Sequence, residues 1–129
     1  MAPEGTLRGA LTVHNATRGT VLADRARAAT SFWSLFRGLM LHPALEAGGG
    51  LWLAGVNNIH MFFMRFPIDA VFAGTLQADG SRTVVAVRAR LRPWRGIVWW
   101  VRGGRGVLEL PAGTADATGT VVGDRLLFE

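Results

Sequence analysis

The chain has no cysteine, no tyrosine and no lysine. Without cysteine there are no disulfides, no thiolate zinc ligands and no sulfur nucleophile. Without tyrosine one common general acid is missing, and without lysine neither a Schiff base nor a P-loop lysine can exist. The only serines are Ser31, Ser34 and Ser81, and none sits in a G-x-S-x-G elbow. No G-x-G-x-x-G or Walker-type loop occurs, and Gly48–Gly50 precede a strand-like run rather than a helix, which argues against a phosphate cradle. The longest stretch free of Arg, Asp and Glu runs 18 residues from Ala47 to Met64, and it is broken by glycines, Asn57, Asn58 and His60. That composition does not suit a membrane span. The start, "MAPEGTLRGALTV", carries Glu4 and Arg8 and lacks the apolar region of a secretory signal. No transmembrane segment and a cytoplasmic location are therefore the expectation.

What is present suits one β-rich domain. The 129 residues are 50% hydrophobic and only 18% charged, which gives ample core material for a single domain and the wrong balance for disorder. All 14 basic residues are arginine and the net charge is +5, a mild general attraction for anions. "LTVHN" and "TVLADRA" flank Ala16–Gly19 and predict a hairpin. "TSFWSLFRGLMLHP" predicts a helix, because Phe32, Leu35, Phe36, Leu39 and Met40 recur at helical spacing. Thr30 or Ser31 can cap it, and Leu41-His42-Pro43 marks its end. "GGGLWL" opens a short strand, and Ala78-Asp79-Gly80-Ser81 is a hairpin turn leading into "RTVVAVRARLR". There Val85, Val87, Ala89 and Leu91 are expected inside, and Ala86, Arg88, Arg90 and Arg92 outside. "GIVWWV" and "GVLEL" follow as strands split by Gly103-Gly104. "GTADATG" predicts one helical turn, with Thr114 as cap and Gly119 as stop, and "VVGDRLLFE" closes as turn plus strand. The fold class is mainly β, at the α+β border. It is a small barrel-like domain of about eight or nine short strands with two short helices, with residues 1–10 as a loose start and 11–129 as the domain.

The stretch "NNIHMFFMRFPIDAVF" puts a histidine, an arginine and an aspartate among apolar residues. Alternation along a strand places His60, Phe62, Met64 and Phe66 on one face and Ile59, Met61, Phe63 and Arg65 on the other. Both faces are largely apolar, so the strand is expected to be covered on both sides, with a bend at Pro67. A buried Arg65 would need a carboxylate, and Asp69 and Glu109 are the isolated acids at hand. These groups fit either a structural ion pair or the floor of a pocket. A metal shared by His60 and Met64 is excluded on a strand, where four residues span about 13 Å. His42 and Glu46 are separated by Pro43, and with His14, His42 and His60 the only histidines, no metal site and no cofactor are expected. The segment "RARLRPWRGIVWWVRGGRG" combines Arg88, Arg90, Arg92, Arg95, Arg102 and Arg105 with Trp94, Trp99 and Trp100. It reads as a solvated arginine face with core tryptophans, or as a surface for single-stranded nucleic acid.

In order along the chain, "FRGLM", "IHMFFMRFPIDAVF", "LRPWRG", "VLELPAGTADATG" and "VGDRLLF" together resemble the family known as domain of unknown function 192, over about residues 11 to 129. The central signature falls on Phe62, Phe63, Met64, Arg65, Pro67, Ile68 and Asp69. The resemblance implies a compact, mostly β domain with small helices and assigns no activity, substrate or cofactor. Its motifs draw attention to Arg37, His60, Arg65, Asp69, Arg95 and Glu109.

The expected function is a small binding domain with a pocket lined by Met, Phe and Trp side chains and anchored by Arg37, Arg65 and Arg95, for a small anionic ligand. Arg37, His60, Met64, Arg65, Asp69, Trp94, Arg95 and Glu109 are the candidate ligand-binding residues. One alternative is an enzyme using His60 with Asp69 or Glu109 as an acid–base pair. The other is a nucleic-acid or protein interaction through the Arg/Trp face of residues 88–105. Convergence of His60, Arg65, Asp69 and Glu109 on one concavity would favour the pocket; separation would remove most of its support.

Overall fold

The computed structural model describes residues 7–29, 46–61 and 65–129. Nine strands and one helix occur among them: β1 Leu7–Asn15, β2 Thr20–Ala29, β3 Gly49–Ala54, β4 Ile59–His60, β5 Ile68–Leu76, β6 Ser81–Leu91, β7 Ile97–Val98, β8 Gly106–Pro111, α1 Thr114–Thr118 and β9 Arg125–Phe128. The helix expected over residues 30–42 lies outside the described residues. So do residues 1–6, whereas β1 begins at Leu7, earlier than the domain start expected from sequence.

Seven strands close on themselves in the order β1-β2-β3-β8-β5-β6-β9, giving the small barrel-like ring expected. Neighbours are antiparallel except β2 and β3, which pair in parallel from Arg25↔Gly49 to Ala28↔Trp52. A parallel pair needs a crossover, and the connection from Ala29 to Gly49 is long enough to supply one. The two short strands β4 and β7 form a separate ribbon, with Ile59 opposite Val98 and His60 opposite Ile97.

Strand alternation sorts the apolar residues into two layers. Val13, Leu22, Trp52, Val71, Val84, Leu108 and Leu126 belong to one cluster to which all seven ring strands contribute, so it fills the ring. Leu51, Leu53, Ile68, Ala70, Phe72, Ala86 and Val107 face the other way. They are covered by Met61, Phe66, Val98 and Val101 from the segments around the ribbon. This second layer explains why β5 reads as an apolar run interrupted only by Asp69: both of its faces are buried, from Ile68 through Gly74.

The alternation expected for β6 does not hold throughout. Val84 and Val87 face the ring interior, while Val85 and Ala86 both join the outer layer. Register shifts in the β5–β6 pairing, between Phe72 and Ala73 among other places, add the irregularity that changes the phase. Trp52 is packed between two neighbours. The Arg82 guanidinium lies 5.2 Å from its ring and the Phe128 ring 4.6 Å away.

Gly106 opens β8 beneath that tryptophan. A Cβ there would sit 2.2 Å from Trp52 Cη2 and 3.0 Å from the Leu53 carbonyl oxygen. Gly106→Ala should therefore destabilise the domain by about 2 kcal/mol, as overpacking typically does. Urea unfolding of the two proteins measures this, and an unshifted midpoint would contradict the packing described. No helix among the described residues is long and apolar enough to cross a membrane.

Candidate functional site

Asp69, in the second position of β5, is fully buried. Its carboxylate accepts three backbone N–H bonds. Arg90 donates to Oδ1 at 2.8 Å, while Gly113 and Ala115 donate to Oδ2 at 3.1 and 2.8 Å. The last two donors lie at the start of α1, whose N-cap residue is Gly113, in a left-handed conformation and with no side chain to offer. Asp69 thus caps α1 from across the sheet and supplies the acceptor that capping requires. Thr114, expected as the cap, donates its hydroxyl to the Pro111 carbonyl instead, at 2.7 Å. Gly119 stops the helix as expected, in the left-handed conformation.

The expected pairing of Arg65 with Asp69 or Glu109 does not form. Arg65 lies in a bend rather than on a strand, and it is exposed, so it carries no burial cost to offset. The strand expected to continue from Ile59 stops at His60 in the described residues, and the bend at Arg65–Phe66 leads through Pro67 into β5. Arg37, Met64 and the His60 side chain lie outside the described residues.

Glu109 is buried in the middle of β8. It pairs with Leu51 on β3 and Ala70 on β5, so its side chain shares the outer apolar layer with theirs. Among the described residues its Oε2 is a buried oxygen without a hydrogen-bond partner. Burial pushes the carboxyl up to about 8, so it is largely protonated at neutral pH. Asp69 and Glu109 therefore serve different layers, one as a capped helix anchor and the other as a neutral acid in an apolar wall.

Sequence reasoning missed a buried polar cluster joining β1 to the approach to β9. Asn15 donates to Thr120 Oγ1 at 3.1 Å and to Asp124 Oδ2 at 2.9 Å, and Arg18 donates to the same Asp124 oxygen at 3.1 Å. Burial acts to raise the Asp124 carboxyl, but bonds from Arg18, Asn15 and the Val121 amide outweigh it and hold it below its ordinary value. The bonds are saturated within the cluster, so it ties the chain ends together. An open groove of about 570 Å³ lies beside α1, lined by Val21–Asp24, Ala47–Gly48 and residues 111–114 among others. Among the described residues, Asp69, Arg65, Trp94, Arg95 and Glu109 do not line it.

The segment 88–105 is arranged differently. Leu91, Val98 and Val101 turn inward to the outer layer, and Ile97 is half-buried. Every residue left exposed is arginine, tryptophan, Ala89 or Gly103. The arginines are Arg88, Arg90, Arg92, Arg95, Arg102 and Arg105; Trp94, Trp99 and Trp100 are 55%, 81% and 63% exposed. The tryptophans are thus not core residues, which corrects one of the two readings made from sequence. Arg90 pairs with Asp116 at 2.7 Å. Trp94 holds a left-handed backbone, φ 67°, that only glycine adopts freely. Its amide donates to the Met61 carbonyl at 2.7 Å, and the Met61 amide donates to Gly96 at 2.8 Å. Gly96 is required at this staple, because a Cβ would lie 2.7 Å from Met61 Cγ. The loop that displays Trp94 and Arg95 is held in one shape against the outer layer.

Residues 13–128 match the family model for domain of unknown function 192, described as Uncharacterized ACR. A UPF0127 protein of Thermococcus sibiricus is 37% identical over 120 residues, covering 89% of this chain and 73% of that protein. Two solved structures share the fold. One, from Sinorhizobium meliloti and proposed to be a transcription regulator, is 23% identical with a TM-score of 0.73, covering 98% of both chains. The other, a protein of unknown function from Novosphingobium aromaticivorans, is 22% identical with a TM-score of 0.70, covering 93% of this chain and 84% of that one.

Proposed function

The chain belongs to the domain of unknown function 192 family, and from that premise we propose that it is a binding domain that meets an anionic partner through the surface of residues 88–105. The observation that carries this reading is the make-up of that surface. No Asp or Glu occurs from Gly80 to Leu108, and 7 of the 14 arginines fall there. Six of them lie within 88–105, and Arg90 pairs with Asp116 from outside the segment, but no acid within it offsets the others, and such a surface attracts polyanions. The pocket expected from sequence has less behind it, because Asp69 spends its acceptors on backbone amides while Arg65 and Arg95 are exposed. For the same reason Asp69 is a poor partner for an acid–base histidine.

Retention on a heparin matrix tests the proposal. The protein should elute only at raised salt, and Arg95→Gln, Arg102→Gln and Arg105→Gln together should bring elution down sharply while leaving the melting temperature in place. Co-elution of the triple variant with the parent would overturn the assignment to this surface.

A further inference from the structure

We infer that the partner of this surface is single-stranded nucleic acid, with Trp99 and Trp100 stacking on bases while the surrounding arginines meet phosphates. This rests on the polyanion reading above and narrows it. A polyanion alone would need only the arginines. Two adjacent indoles more than half exposed are a cost in water that a partner with flat apolar faces would remove. A membrane-inserting tip would also present aliphatic side chains, yet here Val98 and Val101 point back into the outer layer. What remains outside is rings and guanidinium groups, the pair of chemistries that bind an unpaired strand without regard to sequence. In a duplex the base faces are stacked on each other and unavailable to indoles.

The surface has the length for such a strand. The covering segment runs back along β6: a Cβ on Gly96 would lie 3.0 Å from Leu91, and one on Gly103 3.9 Å from Val85. Six strand residues separate those two points, about 20 Å at ~3.3 Å per residue. That matches roughly six nucleotides at a stacked rise of about 3.4 Å. Trp94 and Arg95 stand near one end of this track and Arg102 and Arg105 near the other, with the tryptophan pair between them.

The test titrates the full chain with three probes: a short oligothymidine, a duplex of the same length, and vesicles containing phosphatidylserine. Tryptophan emission and anisotropy of a labelled strand are followed together. Oligothymidine should quench the emission and bind more tightly than duplex. Its affinity should fall roughly 20- to 100-fold between about 50 and 200 mM salt, for three to five phosphates neutralised. Trp99→Ala with Trp100→Ala should weaken oligothymidine binding by about tenfold or more and leave heparin retention unchanged. Equal binding of duplex and single strand, indifferent to the tryptophan pair, would overturn the stacking inference and leave the polyanion surface standing. Vesicle binding with a blue-shifted emission and no response to oligothymidine would overturn it in favour of a lipid surface. No binding to heparin or to any probe would remove both readings.

Discussion

Replacing Asp69 with alanine is expected to lower the unfolding free energy by about 3–5 kcal/mol, the scale for removing a buried acceptor that serves three backbone donors at once. Three N–H groups lose their partner at once, from Arg90, Gly113 and Ala115. Arg90 lies far in sequence from the other two, so one side chain holds the end of β6 and the start of α1 against β5. The Arg90 bond has an added role, because Arg90 sits at φ 53°. A non-glycine residue there is strained, and the bond to Oδ1 helps to hold it. Asp69→Asn separates hydrogen bonding from packing. Turned so that its oxygen meets the α1 amides, the asparagine presents its NH2 to the Arg90 donor. It can satisfy two of the three N–H groups and no more. Urea unfolding should order the proteins as parent, then Asn, then Ala. An alanine variant within about 1 kcal/mol of the parent would show that Asp69 is not the joint described here, since that is the scale of one ordinary hydrogen bond.

Asp69 also shows what the sequence could and could not convey. An isolated acid in an apolar run was legible as a group needing partners, and Arg65 was the obvious charged one nearby. The actual partners are backbone amides, which every residue but proline carries, so no residue type announces them. Residue type was reliable at turns, bends and helix stops. The β1–β2 hairpin, the turn into β6, the bend before Pro67 and the stop at Gly119 all stand where sequence put them. It failed where pairing ends early. "GIVWWV" reads as a continuous strand, but β7 pairs only two residues with β4, and beyond Val98 the chain leaves the ladder. Periodicity cannot say which members of such a run face water. The tryptophans consequently went from expected core to exposed surface. Within β6 the phase slip has no signal in composition, because Val84, Val85, Ala86 and Val87 are all plausible core residues whichever way they point. Glu109 was singled out correctly as unusual, but only the pairing with Leu51 and Ala70 shows that it lies in an apolar wall.

That wall makes stability depend on pH in a direction opposite to the usual carboxylate. The folded value of Glu109, about 8, lies above the ordinary 4.5. Between the two, the folded protein keeps a proton that the unfolded chain has released. Stability is therefore fully present below the ordinary value and falls as pH rises through this window, by at most about 1.4 kcal/mol per pH unit. Above the folded value the loss levels off, having reached on the order of 4–5 kcal/mol. Glu109→Gln has the same shape and cannot ionise, so it should remove this slope. Other titrating groups contribute to both proteins alike and cancel in the difference. The variant should gain on the parent steadily from pH 5 to pH 8. A buried amide leaves its own donors to satisfy, which shifts the whole difference curve by about 1–3 kcal/mol and leaves its slope untouched. The measurement is denaturant unfolding of both proteins across that pH range. A difference independent of pH would mean that Glu109 is ionised and partnered in the folded protein, and would overturn the neutral acid assigned to the outer layer. A difference that grows with pH would also explain how the ring wall tolerates an acid between Leu51 and Ala70: at neutral pH it is largely an uncharged group that costs far less to bury than an ion.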